Sequence, residues 1–214
     1  YMKFPTVSVV IPYYNDSLVF GRTLDSIYNQ TLQPSEIVII NDFSQDKKEL
    51  IEIVDIYKEK LKCNIKIFHN NKNMNGAYSR NLGIKNCKSV VVALLDADDY
   101  WEKDHLHKSV EALILNEMEF VFSNILIENP MSDKNIVEIK VTDPKKLKNC
   151  NDILFYNPPQ TNSFVFIRDA LLENGISFDE KLRRHQDWQF LIDVINSNVK
   201  YKYIDIATSY YCVS

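Results

Sequence analysis

The chain has 214 residues, of which 45% are hydrophobic and 25% charged, and this balance is ordinary for a globular protein. Its formal net charge of −4 argues against nucleic acid as a partner, because binding to a phosphate backbone needs a basic surface. The sequence contains no apolar run of the roughly 18 residues that span a bilayer, no basic amphipathic segment and no signal-peptide core, so we expect a cytoplasmic protein.

The cysteines and glycines narrow the kinds of site that the chain can form. Cys63, Cys87, Cys150 and Cys212 are scattered without a C-x-x-C pair, so we expect reduced thiols and neither a zinc site nor a disulfide framework. Four glycines, with no G-x-G-x-x-G after the first apolar run and no Walker lysine, make a dinucleotide-type phosphate loop improbable. Phosphate would have to be bound in another way, through a metal ion and Arg80.

The first hundred residues alternate apolar runs with segments of helical period. Strands are predicted over residues 7–13, 36–40 and 64–69, and a fourth begins at Val90. Helices are predicted over 20–28, after an N-cap at Asp16 and Ser17, over 50–61 and over 77–84. Strands separated by helices of this length imply βαβ crossovers and a parallel sheet.

Residues 90–101 (VVVALLDADDYW) are the most informative stretch, because six apolar residues run directly into Asp96, Asp98 and Asp99. Such a run suits a central parallel strand that is buried on both faces. Ligands of open α/β sheets bind beyond the carboxyl ends of the strands, and carboxylates are natural ligands of hard divalent cations. For an isolated Asp-Ala-Asp, an acidic loop that merely caps the next helix is an equal alternative.

The other strand ends supply the context that decides between these readings. Parallel strands place their carboxyl ends on one side of the sheet. Residues 12–14, Asp42, residues 73–80 and residues 96–99 should therefore converge on one rim, although they lie far apart in sequence.

The second half of the chain is less regular. In chain order we predict a helix over 106–114, strands over 120–122 and 136–141 around a polar turn, a helix over 143–156, a strand over 161–167, and a short helix over 169–174 before Gly175. An irregular segment at 178–184 precedes a helix that opens at or just after Gln186 and Asp187, and the tyrosines from Tyr201 onward predict sheet packing. No linker or repeat is visible, so we expect one domain over 1–214, with halves at 1–101 and 102–214.

Five motifs, in this order and spacing, resemble the inverting family 2 glycosyltransferases of the GT-A fold: VSVVIPYYN, IINDFS, NMNGAYSRNLG, LLDADDYW and RRHQDWQFL. The resemblance extends from about Pro5 to at least Ile195. It implies an α/β fold, Rossmann-like, with a mostly parallel mixed sheet flanked by helices.

The resemblance implies a binding site for a nucleotide diphosphate sugar, with UDP as the expected nucleotide. Its residues would be Pro12, Tyr13, Tyr14, Asp42, Asn73, Arg80, Asp96, Ala97 and Asp98. By similarity, Asp42 would accept a hydrogen bond from a uracil N–H. Asn73 and Arg80 would lie beside the ribose and the diphosphate, and Asp96 would reach the ribose or the outer shell of a metal ion.

The resemblance also implies a metal and a base. Asp98 would bind Mn²⁺ or Mg²⁺ directly, with Asp99 as a supporting ligand. Asp187 matches the catalytic base, and its position at a helix start should keep it ionised. The family usually has Glu before this Asp, so Gln186 leaves open what that charge contributes.

Three neighbours of Asp187 remain open to two readings each. His185 is a candidate contact for donor or acceptor. Arg184, with Arg183, either contacts the diphosphate or is solvated charge. Trp188 either stacks on an acceptor sugar or, the reading that its helical register favours, packs in the core.

The function implied is metal-dependent, inverting transfer of a sugar to a hydroxyl of a glycan or lipid-linked glycan, in bacterial surface polysaccharide synthesis. Peripheral association with the inner face of the membrane is implied by the resemblance alone, and no oligomeric state is indicated. The alternative is a non-catalytic nucleotide-sugar or glycan binding module with the same fold, which would not need Asp187. A nucleotidyltransferase is a weaker third hypothesis, because the glycine-rich phosphate loop is missing.

Overall fold

The computed structural model describes residues 4–129, 131, 135–149, 152–153 and 157–213. Its first half consists of four parallel strands and three crossover helices, as the alternating sequence pattern predicts. In chain order they are β1 (Val7–Tyr13), α1 (Ser17–Tyr28), β2 (Glu36–Asn41), α2 (Lys47–Lys60), β3 (Asn64–His69), α3 (Gly76–Asn86) and β4 (Val91–Leu94). The carboxyl ends of these strands therefore lie on one side of the sheet.

The second half extends the same sheet with strands of mixed direction. Its elements are β5 (Tyr100–Trp101), α4 (His105–Leu115), β6 (Phe120–Glu128), β7 (Ile136–Ile139), β8 (Val165–Ile167), α5 (Arg168–Glu173), α6 (Gln186–Asn196) and β9 (Tyr201–Cys212). The strand order is β3-β2-β1-β4-β8-β6-β9-β5, and β7 pairs with residues 125–128 of β6. β8 runs antiparallel to β4, which places residues 160–163 beside the carboxyl end of β4.

The core lies on both faces of the sheet. Val9 and Ile11 pack on one face with α1, α2 and α4, whereas Val10 packs on the other face with α3 and α6. Successive side chains of a strand point to opposite faces, so a strand buried on both faces must be apolar at nearly every position. The continuous apolar runs of β1, β2 and β4 follow from this burial.

Two predicted elements of the second half were wrong. Over 143–149 the structure has one 3₁₀ turn, Pro144–Lys146, where a helix was predicted; residues 150–151 and 154–156 of that prediction lie outside the described residues. The strand predicted over 161–167 is confined to Val165–Ile167 and is preceded by a 3₁₀ turn, Thr161–Ser163. Polar residues in both stretches bond locally or to other loops, as with Asp143, whose carboxylate accepts from the amide of Lys145.

The cysteines, Gly175 and the helices can each be compared with what the sequence predicts. Cys63, Cys87 and Cys212 are free thiols, as expected, and Cys150 lies outside the described residues. Gly175 follows α5 with φ +66°, the left-handed conformation expected after a helix end. None of the helices in the described ranges combines the length and apolar character that crossing a bilayer requires.

The close contact between α3 and β1 yields a test of this packing. A Cβ added at Gly83 would lie 2.3 Å from Cγ1 of the buried Val10, so we expect Gly83→Ala to reduce the free energy of unfolding by about 1–3 kcal/mol through overpacking. Gly21, in α1, has nothing within 4 Å of the same position, so Gly21→Ala should stabilise the protein by about 0.5–1 kcal/mol. Urea unfolding of both variants measures the difference, and equal effects would contradict the packing described here.

Candidate active site

A cavity of about 180 Å³, the first cavity, opens at the carboxyl ends of β1, β2 and β4. It is lined by Pro12, Tyr13, Tyr14, Asp16, Asp42, Gly76, Ser79, Arg80, Asp96, Ala97 and Asp98. The structure thus brings together eight of the nine residues predicted for the donor site. The ninth, Asn73, is exposed and is not among the residues that line this cavity.

The carboxylate of Asp42 organises the loop before α3. It accepts hydrogen bonds from the side chain of Asn70 at 2.7 Å and from the backbone amides of Met74 and Asn75 at 2.8 Å each. Asn75 has φ 80°, and its side chain caps α3 by accepting from the amide of Tyr78. The loop is therefore shaped by the same carboxylate that faces the cavity.

The two tyrosines at the end of β1 differ in what they offer to a ligand. Tyr13 is buried, and its hydroxyl donates to Asp46 at 2.7 Å, so its ring belongs to the core. Tyr14 is 48% exposed. Of this pair, only Tyr14 has a ring face available for stacking against a planar ligand.

Asn162 fixes the acidic turn that follows β4. Its side-chain oxygen accepts from the amide of Asp96 at 2.8 Å, and its side-chain nitrogen donates to the carboxylate of Asp99. Its backbone carbonyl accepts from the indole of Trp101 at 2.8 Å. On the opposite side, Thr23 of α1 donates to the carbonyl of Ala97 at 2.7 Å. The acidic turn is therefore held both by the 3₁₀ turn that precedes β8 and by α1.

The three carboxylates of this turn are not equivalent. Asp99 is 1% exposed and also accepts from the amide of Cys212 at 2.7 Å; burial, reinforced by Asp96 and Asp98, raises its pKa to about 8. Asp99 does not line the first cavity, so the geometry suits a supporting residue and not a direct metal ligand. Asp96 is paired with Arg80 at 2.6 Å.

Asp98 is the carboxylate with room for a cation. No other side chain among the described residues hydrogen-bonds or ion-pairs with its carboxylate, and burial together with Asp96 raises its pKa. Asp16 lines the same cavity, and burial and the charge of Asp98 raise its pKa to about 6. Two carboxylates whose charges are poorly compensated fit a divalent cation with oxygen ligands.

The protein does not supply a complete metal site by itself. Within the described ranges, no group of three or more His, Cys, Asp or Glu side chains could hold a metal ion. Asp98 and Asp16 would therefore provide part of a coordination sphere, and phosphate and water oxygens would provide the remainder.

Arg80 connects the first cavity to a second one. Its guanidinium donates to Asp96 at 2.6 Å and to the side-chain oxygen of Gln186 at 3.2 Å, and it lies 5.5 Å from the centre of the Phe178 ring. A Cβ at Gly76 would lie 2.9 Å from this guanidinium, so a side chain at that position would require the head of Arg80 to shift. The arginine of α3 is thereby tied to the start of α6.

The second cavity, of about 230 Å³, shares Arg80 and Asp96 with the first. It is lined by Arg80, Asp96, Gln160, Thr161, Arg183, Arg184, His185, Gln186, Asp187 and Tyr211. Three of the four residues predicted for the base and the acceptor side, Arg184, His185 and Asp187, therefore line one space, and the fourth, Trp188, is not among the lining residues.

Trp188 does not pack in the core, so the reading that its helical register favoured was wrong. It is half-buried, and its ring centre lies 4.2 Å from that of His185. The core face of α6 consists of Phe190, Leu191, Val194 and Ile195. Trp188 supports the His185 side chain at the mouth of the second cavity.

Asp187 is half-buried, and its charge is only partly compensated. Burial raises its pKa, and the nearby amide of Trp188 and the charge of Arg80 offset part of that effect. Burial thus outweighs the helix terminus, which we expected to keep this group ionised. A carboxylate with a raised pKa is a stronger base, which is the property that proton abstraction needs.

Sequence reasoning missed three residues of this region. Asp16 was interpreted as a helix cap, but its side chain makes no capping bond. Asn162 fell inside a predicted strand, and Tyr211 was assigned to sheet packing. Asn162 bonds to a residue more than 60 positions away, and Asp16 and Tyr211 line cavities together with residues distant in sequence. A local apolar period gives no signal for such contacts.

Comparison with known proteins places the chain among sugar transferases. The family model described as "Glycosyl transferase family 2" matches residues 8–174. The amylovoran biosynthesis glycosyltransferase AmsB of Erwinia amylovora is 31% identical over 96% of this chain and 68% of its own length. The UDP-Glc:alpha-D-GlcNAc-diphosphoundecaprenol beta-1,3-glucosyltransferase WfgD of Escherichia coli is 28% identical over 90% of this chain and 70% of its own.

Solved structures agree on the fold. TarS of S. aureus, crystallised with UDP, matches with a TM-score of 0.77 and 22% identity over 98% of this chain. The mannosyltransferase PcManGT of Pyrobaculum calidifontis, solved with GDP-Man and Mn²⁺, matches with a TM-score of 0.71 and 17% identity over 100% of this chain. The chain spans 61% and 58% of these two structures. The predicted GT-A fold is confirmed.

The role of Asp42 in the loop can be tested directly. Asp42→Asn replaces one carboxylate oxygen by an NH₂ group that faces N–H donors, so we expect a loss of about 1.5–3 kcal/mol in unfolding free energy. Amide hydrogen exchange at Met74 and Asn75 should accelerate. Asp55→Asn, which removes a carboxylate from an exposed ion pair on α2, is the matched control and should change stability by less than about 0.5 kcal/mol. Unchanged exchange at both amides would refute the assignment.

Proposed function

The chain belongs to glycosyl transferase family 2 and is a glycosyltransferase, and we propose that it moves a sugar from UDP to a glycan hydroxyl, with inversion and with Mn²⁺ or Mg²⁺. The observation that carries the proposal is the pair of adjoining cavities that share Arg80 and Asp96. One cavity has the features of a nucleotide diphosphate site, and the other is lined by a half-buried carboxylate, Asp187, with a raised pKa.

The first cavity is suited to the donor. The exposed ring of Tyr14 offers a stacking surface for the base, and Asp42 offers an acceptor for its N–H. Arg80 is half of a partly buried ion pair next to the place where phosphate would lie. UDP is the nucleotide in the TarS complex, and UDP-Glc is the donor named for WfgD, which supports a UDP-sugar.

The residues that would hold the metal ion are Asp98 and Asp16, with Asp99 as support behind them. When bound there, a divalent cation would neutralise the negative charge that develops on the departing diphosphate. The Mn²⁺ in the PcManGT structure supports a metal of this kind. The Asp96 carboxylate, already engaged by Arg80, would face the ribose or the outer shell of the metal.

The transfer can be written in terms of this chain's residues. The acceptor hydroxyl oxygen forms a bond to the anomeric carbon, and the bond between that carbon and the diphosphate oxygen breaks. Asp187 takes the hydroxyl proton, and UDP carries away the electron pair of the broken bond. Asp187 lines the second cavity, and the diphosphate would lie in the first. Attack from the side opposite the departing diphosphate would invert the configuration of the sugar.

The acceptor would be a glycan in polysaccharide synthesis, carried on a lipid diphosphate. This assignment is supported by AmsB, a protein of amylovoran biosynthesis, and by WfgD, which acts on a diphosphoundecaprenol-linked sugar. Arg183 and Arg184 are exposed at the rim of the second cavity, where they can contact an acceptor phosphate. Such an acceptor would bring the protein to the membrane surface peripherally.

The proposed roles of Asp98 and Asp187 predict two different defects. Binding is measured as the thermal stabilisation that UDP with Mn²⁺ confers, and transfer is measured with UDP-glucose or UDP-N-acetylglucosamine as donor. Asp98→Ala should abolish the thermal stabilisation, because it removes the metal ligand. Asp187→Asn should keep that stabilisation but lower the turnover number for transfer by about 10²–10⁴, the usual contribution of a general base.

Glu59→Gln, on the exposed face of α2, is the control and should match the wild type in both assays. If both site variants retained wild-type turnover, the proposed mechanism would be refuted. If the wild type bound UDP with Mn²⁺ but neither hydrolysed nor transferred the sugar, the binding-module hypothesis would replace it.

The neutral amide at Gln186 should set the working pH of the base. Gln186→Glu places a negative charge beside Arg80 and disfavours the carboxylate form of Asp187, so its pKa rises further. Because the base acts only when deprotonated, the acidic limb of the transfer rate should move to higher pH, by about half to one unit. Gln186→Met removes the hydrogen bond without adding charge and should leave that limb in place; an equal shift in both variants would contradict an electrostatic cause.

A further inference from the structure

One residue that lines the second cavity, Tyr211, differs in chemistry from the other lining residues. Among the described residues that line it, nine carry charged or polar side chains, and Tyr211 alone supplies a phenolic ring. Tyr211 is 38% exposed, and its hydroxyl has no hydrogen-bond partner among the described residues. A large, partly apolar surface therefore faces the same space as Asp187.

The position of this ring is fixed by the residues on either side of it in β9. The Tyr210 ring stacks on Tyr100 with centres 4.1 Å apart, and its hydroxyl donates to Glu102 at 2.5 Å. The amide of Cys212 donates to the carboxylate of Asp99 at 2.7 Å. Since neighbouring residues of a strand point to opposite faces, anchoring Tyr210 and Cys212 directs Tyr211 to the cavity side.

The Tyr211 ring lines the same cavity as Asp187. Its hydroxyl is influenced by the carboxylates of the acidic turn and by Asp187; together with burial they raise its pKa, so it remains neutral. A neutral phenol can both donate and accept hydrogen bonds, and its ring remains an uncharged apolar surface.

This combination suits the ring of a sugar. A pyranose has C–H bonds on its faces and hydroxyl groups around its edge, so it needs an aromatic surface on one side and polar groups around it. The second cavity offers the phenol of Tyr211 and, around it, Thr161, Gln160 and the carboxylate of Asp187. We propose that Tyr211 is the platform on which the acceptor sugar stacks, with the attacking hydroxyl directed at Asp187, an inference that rests on the proposed function.

The test separates acceptor binding from donor chemistry. Donor hydrolysis, in which water is the acceptor, is followed with Mn²⁺ and whichever of UDP-glucose and UDP-N-acetylglucosamine the wild type cleaves. Transfer is followed with the same donor and with N-acetylglucosaminyl diphosphate carried on a short alkyl chain. Tyr211→Ala should raise the acceptor KM by about five- to tenfold, while donor hydrolysis and the thermal shift with UDP stay within twofold of the wild type.

Two further variants identify the cause of any effect. Tyr211→Phe keeps the ring and should restore an acceptor KM close to that of the wild type. Tyr28→Ala, which removes a tyrosine of α1 that is 46% exposed and lines neither cavity, should change nothing.

An unchanged acceptor KM in Tyr211→Ala would overturn the platform, as would an equal fall in donor hydrolysis, which would indicate a structural role. Absence of both hydrolysis and transfer in the wild type would instead overturn the proposed function, and the platform with it.

Discussion

The ion pair between Arg80 and Asp96 is the contact on which the arrangement of both cavities depends. Arg80 belongs to α3, Asp96 follows β4, and the guanidinium also reaches Gln186 at the start of α6. A guanidinium that is only 11% exposed would be costly without a carboxylate partner, so this pair holds three distant segments in one register. Because the pair lines both cavities, it sets the separation between the nucleotide end and the base end of the site.

The acidic turn stays in place despite strong mutual repulsion among its carboxylates. Asp96 is neutralised by Arg80, and Asp99 is buried with hydrogen-bond donors on both oxygens. Asp98 and Asp16 remain, with raised pKa values, and within the part of the chain that the structure describes neither carboxylate forms an ion pair with a cationic side chain. The fold thus concentrates uncompensated negative charge at one point, and a cation that arrives with a diphosphate would relieve it.

Much of this could be predicted from the sequence, and the limits have a physical cause. Continuous apolar runs identify strands buried on both faces, so β1 to β4 and the convergence of their ends followed from the pattern. Asn162 and Tyr211 could not be found in this way, because their contacts lie across the sheet and not along the chain. Trp188 was misassigned because helical period indicates a face and not how deeply that face is covered.

The contact of α3 with β1 at Gly83 has a consequence for how such enzymes can diversify. Val10 leaves no room for even a methyl group on Gly83, so α3, which carries Arg80, packs directly against the first strand. The helix that carries Arg80 is therefore closely packed on the sheet. Most of the residues that line the second cavity, in contrast, come from residues 160–161 and 183–185 and from the end of β9. Substitutions in those segments could therefore change which acceptor binds. The residues proposed to bind the diphosphate leaving group would stay the same.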